Sequence, residues 1–277
     1  ALEIAMDELA EKLAIDPVEL RIRNDTQVVP GSDKRFSARA LNECLRTGAE
    51  RFGWDRRQPQ PASRRDGRWL IGMGMASAIR GAPTVPSAAR VRLEQDGRLV
   101  VETDMTDIGT GTYTILGQTA AEMLGLPLAR VDVRLGDSLF PAGAGSGGQF
   151  GAASATSGVY AACVKLREAV AARLGMDLAS AEFVDGRVRV GNDSRTLEEA
   201  LRDGPLTGED GIEWGALKER YEQQTFGAHF CEVAVDAATG EVRVRRMLAV
   251  CAAGRILNPK QARSQVIGAM TMGIGAA

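Results

Sequence analysis

The sequence predicts an α+β fold made of duplicated two-layer units. Alternating apolar and polar side chains flank the turn Asp96-Gly97, and a second alternating pair of segments flanks Thr239-Gly240, which predicts two β-hairpins. Each hairpin is followed by a glycine-containing turn and a helical pattern. This recurrence predicts two pseudo-repeats that face one another. They cover about residues 69–175 and 225–277.

The N-terminal part of the chain predicts helices and a linker. Residues 2–15 carry apolar side chains at helical spacing, and Asp16 caps a second helix. A third helix is predicted from its cap, Ser37, to residue 52. We assign residues 1–60 to this helical segment with its linker, and residues 61–277 to the second domain.

Beyond residue 60 the pattern alternates between strands and helices. Strands are predicted at residues 69–78, 89–93, 99–105, 131–135, 229–235 and 241–250, with a small hairpin at 183–190. Helices are predicted at residues 113–124 and 152–174, after a cap at Ser194, and from about Pro259. Residues 203–224 predict mostly loop, with a short helix near 217–221.

The composition argues against two classes of partner. The formal net charge is −2, and charged residues make up 25% of the chain, so there is no global field that would attract nucleic acid or an anionic membrane. No apolar stretch approaches the roughly 20 residues that span a bilayer. The basic cluster of Arg64, Arg65 and Arg68 is interpreted as a solvated loop. We therefore expect neither a nucleic-acid nor a membrane partner.

Residues that could act as metal ligands or catalytic groups are scattered. The cysteines Cys44, Cys163, Cys231 and Cys251 form no CxxC pair and are interpreted as core residues, and His229 lies in a predicted strand. A zinc or iron–sulfur site made by this chain alone is not predicted. Neither a G-x-S-x-G elbow nor a P-loop is present. Any part in catalysis would consist of holding a cofactor with its own reactive centre.

A run of small residues, Ala142–Gly158, is the most informative segment. Fourteen of its 17 residues are Gly, Ala or Ser, and a helical pattern follows. Glycine permits positive φ and lets a ligand approach the backbone closely. A helix that begins after such a loop directs N–H groups and the positive end of its dipole outward. The run predicts either a cradle for an anion or a tight packing contact.

Two further segments, Asp107–Thr114 and Arg255–Gly268, also lead from a turn into a helix. The carboxylates of Asp104, Asp107 and Asp137 flank the glycine-containing segments and are interpreted as caps of turns or helices. Each segment alone has low specificity. The three in this order predict a cradle for a cofactor.

Together these segments resemble a known family. The molybdenum-binding large subunit of the xanthine dehydrogenase/aldehyde oxidoreductase family is similar to this chain in the motifs DIGTGTYTILGQTAAEMLG, LGDSLFPAGAGSGGQFGAASATSGVYAAC and AVCAAGRILNPKQARSQVIGAMTMGIGAA, and in the opening EIAMDELAEKLAIDPVELRIRN. The resemblance covers essentially the whole chain and is greatest to bacterial three-subunit aldehyde oxidoreductases. It implies the second molybdopterin-binding domain of such a subunit, with mixed sheets and long helices.

The resemblance implies cofactor contacts residue by residue. The family's Gly-Gln-Gly turn matches Gly109-Thr110-Gly111, where a threonine replaces the glutamine and puts one side-chain amide contact in question. The small residues beside the molybdenum match Gly147 and Gly148. The implied cofactor-binding residues are Ile108, Gly109, Thr110, Gly111, Thr112, Ser146, Gly147, Gly148, Gln149, Gly151 and Gln265. No metal ligand in this chain is implied, because the pterin dithiolene, oxo and sulfido groups hold the metal.

The implied activity belongs to a larger enzyme. It would use molybdopterin cytosine dinucleotide with molybdenum to oxidise a small aldehyde to a carboxylic acid, with water as the oxygen source. Electrons would leave through iron–sulfur clusters and FAD on an iron–sulfur subunit and an FAD subunit. The alternatives are an N-heterocycle hydroxylase of xanthine dehydrogenase type and a folded module that binds no cofactor in isolation. Relatives of this kind occur in both the cytoplasm and the periplasm, so the compartment is left open.

Two groups of the family's active site are expected outside this sequence. The catalytic glutamate of a Gly-x-Gly-Glu motif is expected beyond residue 277, and an arginine near the apical oxo group is expected before residue 1. The sequence also begins and ends within helical patterns. We therefore expect a fragment whose partner is the remainder of the large subunit. On its own it would be inactive and without cofactor.

Overall fold

In the computed structural model, which describes residues 2–277, the chain forms two compact units. Unit 1 comprises the residues up to Ala82 together with Glu219–Ala277, and unit 2 comprises Pro83–Lys218. The α-helices are α1 (Leu2–Lys12), α2 (Pro17–Arg23), α3 (Leu41–Phe52), α4 (Thr112–Leu124), α5 (Gly151–Leu174), α6 (Leu197–Ala200) and α7 (Pro259–Ala276). The strands are β1 (Arg35–Phe36), β2 (Arg65–Asp66), β3 (Trp69–Gly81), β4 (Ser87–Leu93), β5 (Leu99–Thr103), β6 (Val131–Leu135), β7 (Glu182–Val184), β8 (Arg187–Val190), β9 (Asp193–Thr196), β10 (Leu206–Ile212), β11 (Tyr221–Glu222), β12 (Gln224–Asp236) and β13 (Val242–Ala252). The α+β prediction is confirmed.

Unit 1 is built on a four-stranded antiparallel sheet in the order β13-β12-β3-β2. Helix α3 packs on one face of this sheet, where Phe230 of β12 is fully buried. Gly48 of α3 makes the contact possible, because a Cβ there would lie 2.3 Å from Cε2 of Phe230. Trp54 packs edge-on against the same ring, with centroids 5.5 Å apart. Helix α7 follows β13 and has no buried residue.

The first two helices agree with the prediction, and the third begins later. Asp16 caps α2 by accepting the N–H of Val18 at 2.9 Å. Helix α3 begins at Leu41, and Ser37 is not its cap. The N–H of Ser37 donates to the carbonyl of Glu222 at 2.9 Å instead, because this residue continues the parallel pairing of β1 with β11.

Unit 2 is built on a four-stranded mixed sheet in the order β10-β4-β5-β6. Strands β4 and β5 form the predicted hairpin, whereas β5 and β6 run parallel, with Thr103 opposite Leu135. Helices α4 and α5 pack on each other and on the sheet. Fully buried apolar side chains fill the space between the two layers, among them Val91, Leu99, Leu116, Val159 and Leu166. Each of the two loops that follow β5 and β6 leads directly into one of these helices.

The prediction that residues 203–224 are mostly loop was wrong. Strand β10 lies in this segment and pairs antiparallel with β4 over its whole length. Its sequence, LTGEDGI, has little strand propensity, so tertiary packing decides its conformation. Gly208 allows α5 to approach, because a Cβ there would lie 2.3 Å from the carbonyl oxygen of Ala162.

Two predictions about single side chains in the chain were also wrong. Ser194 lies in β9 and does not cap α6; the cap is Thr196, which forms a capping box with Glu199. Not all cysteines are core residues, because Cys231 is half-buried and Cys251 is exposed. The other two cysteines are buried as predicted.

Each unit contains one hairpin that leads through a glycine-containing turn into a helix. In unit 2 these elements are β4, β5 and α4, and in unit 1 they are β12, β13 and α7. Strand β3, predicted to begin the first pseudo-repeat, pairs with β12 of the second. The boundary near residue 60 and the pseudo-repeats remain predictions. Across residues 2–277 none of the helices combines the length and apolar character needed to cross a bilayer.

Candidate functional site

The candidate site lies where two parallel strands of unit 2 end. Strands β5 and β6 are neighbours, and their last residues, Thr103 and Leu135, lie opposite each other. The loops that follow therefore begin side by side at the carboxyl edge of the sheet. Ligands of open α/β sheets bind at edges of this kind. Both loops, with the first residues of the helices that follow them, carry residues that the sequence predicted to contact a cofactor, namely 108–112 in the first and 146–149 and 151 in the second.

The segment after β5 holds the second loop through main-chain and carboxylate contacts. The N–H of Asp104 donates to the carbonyl of Pro141 at 3.0 Å. The carboxylate of Asp104 accepts the N–H of Gly143 in turn. Thr103 anchors this segment to the sheet, because its hydroxyl donates to the carbonyl of Ala88 at 3.0 Å. The first residues after β5 are thus rigidly connected to both the sheet and the small-residue run.

Gly143 and Ser146 bring the two loops into direct contact. A Cβ at Gly143 would lie 2.6 Å from Oγ1 of Thr103 and 3.0 Å from the nitrogen of Met105, so only glycine fits there. The hydroxyl of Ser146 donates to the carbonyl of Thr106. The first part of the small-residue run is therefore a tight packing contact, as one of its two interpretations predicted, while the anion cradle stays a prediction.

The turn before α4 is closed by a carboxylate of the chain itself. Asp107 Oδ1 accepts the N–H groups of Gly109 at 2.8 Å and Gly111 at 3.3 Å, and Oδ2 accepts that of Tyr113 at 3.3 Å. Burial favours the protonated acid, but these backbone donors outweigh it and lower the pKa of Asp107 below its usual value. The interpretation of Asp107 as a cap is confirmed. Sequence reasoning missed that it uses the donors proposed for a ligand.

The same turn presents its side chains outward. Gly109 and Gly111 have φ angles of 94° and 85°, which only glycine adopts without strain. Ile108 is 66% exposed, although it is a large apolar residue, and Thr110 is exposed beside it. Thr112, by contrast, is only 3% exposed and lies in the first turn of α4, so its predicted contact is limited to its backbone.

The start of α5 differs from the start of α4. Its N-cap residue, Phe150, provides no side-chain hydrogen bond. Gly147, Gly148 and Gln149 precede it and are exposed. Gly148 and Gln149 have positive φ angles of 40° and 69°, so the chain turns sharply before the helix. Helix α5 is 24 residues long, and its positive dipole end lies next to this turn.

Gly147 is a glycine that the folded chain does not need. Its φ angle is not in the positive region, and a Cβ there would meet only the ring of Phe150, at 3.4 Å. Gly151 is more restricted, because a Cβ would lie 3.0 Å from Cε of Met105. The space at Gly147 is therefore available to a molecule from outside.

Gln265 belongs to unit 1. It is exposed and lies in α7. Asn258 caps this helix by accepting the N–H of Gln261 at 3.2 Å, and Pro259 occupies its first position. The predicted helix start is thus confirmed, while the contact of Gln265 with a cofactor stays a prediction.

Unit 1 contains a polar cleft. Its walls include Arg56, Arg64 and Arg246 around Glu232. Arg64 and Arg246 each approach one carboxylate oxygen of Glu232 to 3.3 Å, so part of the basic cluster is engaged with a strand residue. Among residues 2–277 there is no group of three or more His, Cys, Asp or Glu side chains arranged to hold a metal ion. The candidate site itself offers backbone groups and the polar side chains of Ser146 and Gln149.

Comparison with known families identifies the family of this chain. The model of the molybdopterin cofactor-binding domain family matches residues 47–277. This chain belongs to that family. The resemblance stated from the sequence motifs is confirmed, and so is the connection with molybdenum-containing oxidoreductases of the xanthine dehydrogenase and aldehyde oxidoreductase type.

Curated relatives are longer than this chain. It is 64% identical over 278 residues to the aldehyde oxidoreductase molybdenum-binding subunit PaoC of Escherichia coli K12, which covers 100% of the chain and 38% of the relative. It is 30% identical over 298 residues to the xanthine dehydrogenase molybdenum-binding subunit of Escherichia coli O157:H7, covering 99% and 39%. The chain thus spans less than half the length of these relatives.

Solved structures show the same fold. A carbon monoxide dehydrogenase from Oligotropha carboxidovorans superimposes with a TM-score of 0.82 at 21% identity, covering 97% of this chain and 38% of that one. The aldehyde oxidoreductase from Desulfovibrio desulfuricans ATCC 27774 gives 0.74 at 24% identity, covering 99% and 30%. At these identities the likeness concerns the fold alone.

Proposed function

We propose that this chain is the part of an aldehyde-oxidising molybdenum hydroxylase that binds molybdopterin cytosine dinucleotide. The observation that carries the proposal is the 64% identity, over the whole chain, to a subunit named as the molybdenum-binding subunit of an aldehyde oxidoreductase. The complete enzyme would convert a small aldehyde into a carboxylic acid with water as the oxygen source. It would pass electrons to iron–sulfur and FAD subunits.

The residues at the edge of β5 and β6 fit such a cofactor. The group is large and anionic, and the site offers an exposed turn, the positive end of a long helix and backbone donors. Gly147 leaves space that no atom of the folded chain needs. When bound, the cofactor supplies the molybdenum centre at which the substrate is oxidised. The chain itself has to bind and orient that group.

Each part of the site has its own share in that task. Gly147 and Gly148 give the cofactor close access to the backbone, and Ser146 and Gln149 offer polar side chains next to them. The backbone of Gly151 lies at the N-terminus of α5, where anions are favoured. On the first loop, Ile108 and Thr110 contact the pterin through their exposed side chains, whereas Gly109, Gly111 and Thr112 offer only their backbone. For Gln265 the proposal rests on the family resemblance alone.

The proposal assigns no catalytic residue to this chain. The acid–base chemistry and the substrate channel would belong to other parts of the large subunit, and the isolated chain would be inactive. The N-heterocycle hydroxylase is a weaker alternative, because identity to a xanthine dehydrogenase subunit is 30%. Oxidation of aldehydes but not of xanthine by the complete enzyme would separate the two.

The test is the cofactor content of the complete large subunit that contains this chain. Molybdenum is measured by mass spectrometry, and the nucleotide is measured as CMP released by acid hydrolysis. We expect both in equal amounts, and we expect Gly147→Val to lower both by about tenfold without lowering the melting temperature of the apo-subunit. The matched control is Gly81→Val, at an exposed glycine with no atom within 4 Å of the added Cβ. Wild-type content in the Gly147→Val protein, or a nucleotide other than CMP, would contradict the proposal.

A further inference from the structure

The two helix starts at the candidate site use their backbone donors differently. At α4 the N–H groups of Gly109, Gly111 and Tyr113 all point to one carboxylate, that of Asp107. This residue lies only two positions before the first of these donors, so no other part of the chain is needed. At α5 the cap residue, Phe150, offers no side-chain acceptor.

We propose that Asp107 is a positioning residue that occupies the anion site of the α4 turn, so that this turn receives the cofactor through its outward side chains and not through its backbone donors. The part of this inference that concerns the cofactor rests on the function proposed above. The part that concerns the occupied turn stands on the geometry of the chain alone.

Charge supports this assignment. A helix N-terminus with several inward N–H groups attracts one negative charge. The carboxylate of Asp107 already supplies that charge at 2.8–3.3 Å. A phosphate at the same donors would have to displace it or lie beside it, and two like charges at that distance repel. The α4 turn is therefore closed to phosphate as long as Asp107 is ionised.

The outward side of the same turn remains open to contact. Ile108 is 66% exposed and Thr110 is exposed, so the turn presents an apolar and a neutral polar side chain. Such a surface suits the flat, uncharged ring system of a pterin better than a phosphate. The turn keeps this orientation because Asp107 fixes three donors of its backbone, two of them glycines with positive φ.

The residues just before Asp107 contact the second loop. The carbonyl of Thr106, the residue before it, accepts the hydroxyl of Ser146. Asp104, three positions earlier, holds the N–H of Gly143. A change in the backbone at Asp107 would therefore reach both loops. This coupling makes Asp107 a residue that positions the cradle without being required to touch the ligand.

The first experiment asks whether the turn is occupied. Inorganic phosphate is titrated into the 15N-labelled chain, and amide shifts are followed in the wild type, Asp107→Ala and Asp107→Asn. We expect no phosphate-dependent shift at Gly109, Gly111 and Tyr113 in the wild type, and saturable shifts at all three in Asp107→Ala. Asp107→Asn keeps an acceptor oxygen without the charge, so its phosphate-dependent amide shifts should be smaller than those of Asp107→Ala. Saturable shifts of these amides in the wild type would overturn the proposal.

A matched control separates this effect from the loss of any capping aspartate. Asp177 accepts the N–H of Ala179 at 3.2 Å and the hydroxyl of Ser180 at 2.8 Å, away from both loops. Asp177→Ala should leave the amides of the α4 turn unresponsive to phosphate. If Asp177→Ala produced the same shifts at that turn, the response would be unspecific and the proposal would fail.

The second experiment concerns positioning and uses the complete large subunit. Molybdenum and CMP are measured in the wild type, Asp107→Ala, Asp107→Asn and Asp177→Ala. We expect Asp107→Ala to retain about tenfold less of both, Asp107→Asn to recover part of the loss, and Asp177→Ala to match the wild type. Wild-type content in Asp107→Ala would overturn the positioning role. A wild-type subunit without molybdenum and CMP would overturn the proposed function, and the phosphate titration would still decide whether the turn is occupied.

Discussion

The two glycine-rich turns of unit 2 have similar sequences and different uses. Both follow parallel strands that end side by side, and both lead into a helix. The turn before α4 is closed by Asp107, whereas the turn before α5 has no side-chain cap at Phe150. In the first turn the backbone N–H groups therefore already have an acceptor, and the turn has exposed side chains. The second is an open end of a helix dipole next to a glycine, Gly147, that the fold does not require.

This difference shows what a glycine-rich turn does and does not predict. Glycines permit the backbone conformation, but the position of the nearest carboxylate decides whether the donors remain available. Asp107 lies two residues before Gly109 and four residues before Gly111, and its Oδ1 accepts the N–H groups of both. The contact with Gly109, two residues on, is the pattern of an Asx turn. Asp137 caps a turn in the same way, because its carboxylate accepts the N–H of Leu139, two residues on, at 2.9 Å.

The largest effect should come from Gly143, in contrast to Gly147 in the same loop. We expect Gly143→Ala to destabilise the chain by about 1–3 kcal/mol, because its Cβ would lie 2.6 Å from Oγ1 of Thr103. Gly147→Ala should change the free energy of unfolding by less than about 0.5 kcal/mol, since only the ring of Phe150 is within reach. Urea denaturation of both variants measures the difference. Equal destabilisation by the two substitutions would mean that Gly147 serves packing, and the contrast between the two glycines would disappear.

A smaller effect is expected from the carboxylate that closes the first turn. Asp107→Ala leaves three backbone N–H groups without their acceptor, and the loss of such a cap costs about 1–2 kcal/mol. The free energy of unfolding from urea denaturation measures it. Asp177→Ala is the control, because the carboxylate of Asp177 accepts fewer backbone N–H groups, among them that of Ala179, and its loss should cost less. A value near zero for Asp107→Ala would indicate that water replaces the carboxylate without loss.

The pH dependence of the same contact gives a further test. The pKa of Asp107 is lowered in the folded chain from its ordinary value of 3.8. A group with a depressed pKa stabilises the fold fully above its unfolded pKa, and this contribution is lost as the pH falls through the folded pKa. The stability difference between wild type and Asp107→Asn should thus be constant above about pH 5 and shrink below it. A difference that grows on acidification would contradict the assignment.

The sequence predicted those features that depend on short-range patterns. The helix caps at Asp16 and Asn258 follow from the residue type and its neighbours. Strand β10 and the late start of α3 could not be predicted, because pairing with β4 and the extension of β1 through Ser37 are contacts between distant segments. The position of the candidate loops was predicted. Asp107 was correctly interpreted as a cap, but which N–H groups it accepts depends on the positive φ angles of Gly109 and Gly111, which glycine permits but does not require.

The smallest expected effect concerns the contact between the two turns. The hydroxyl of Ser146 donates to the carbonyl of Thr106 at an exposed position, so Ser146→Ala should cost only about 0.5–1 kcal/mol. Its main consequence should be local, with faster amide hydrogen exchange in residues 143–150 and unchanged exchange at Gly109 and Gly111, whose acceptor is Asp107. Thr156→Ala is the control, because that hydroxyl donates within α5 and joins no loops. If Ser146→Ala accelerated exchange in both turns equally, the two would behave as one unit, and Asp107 would not hold the first turn independently of the second.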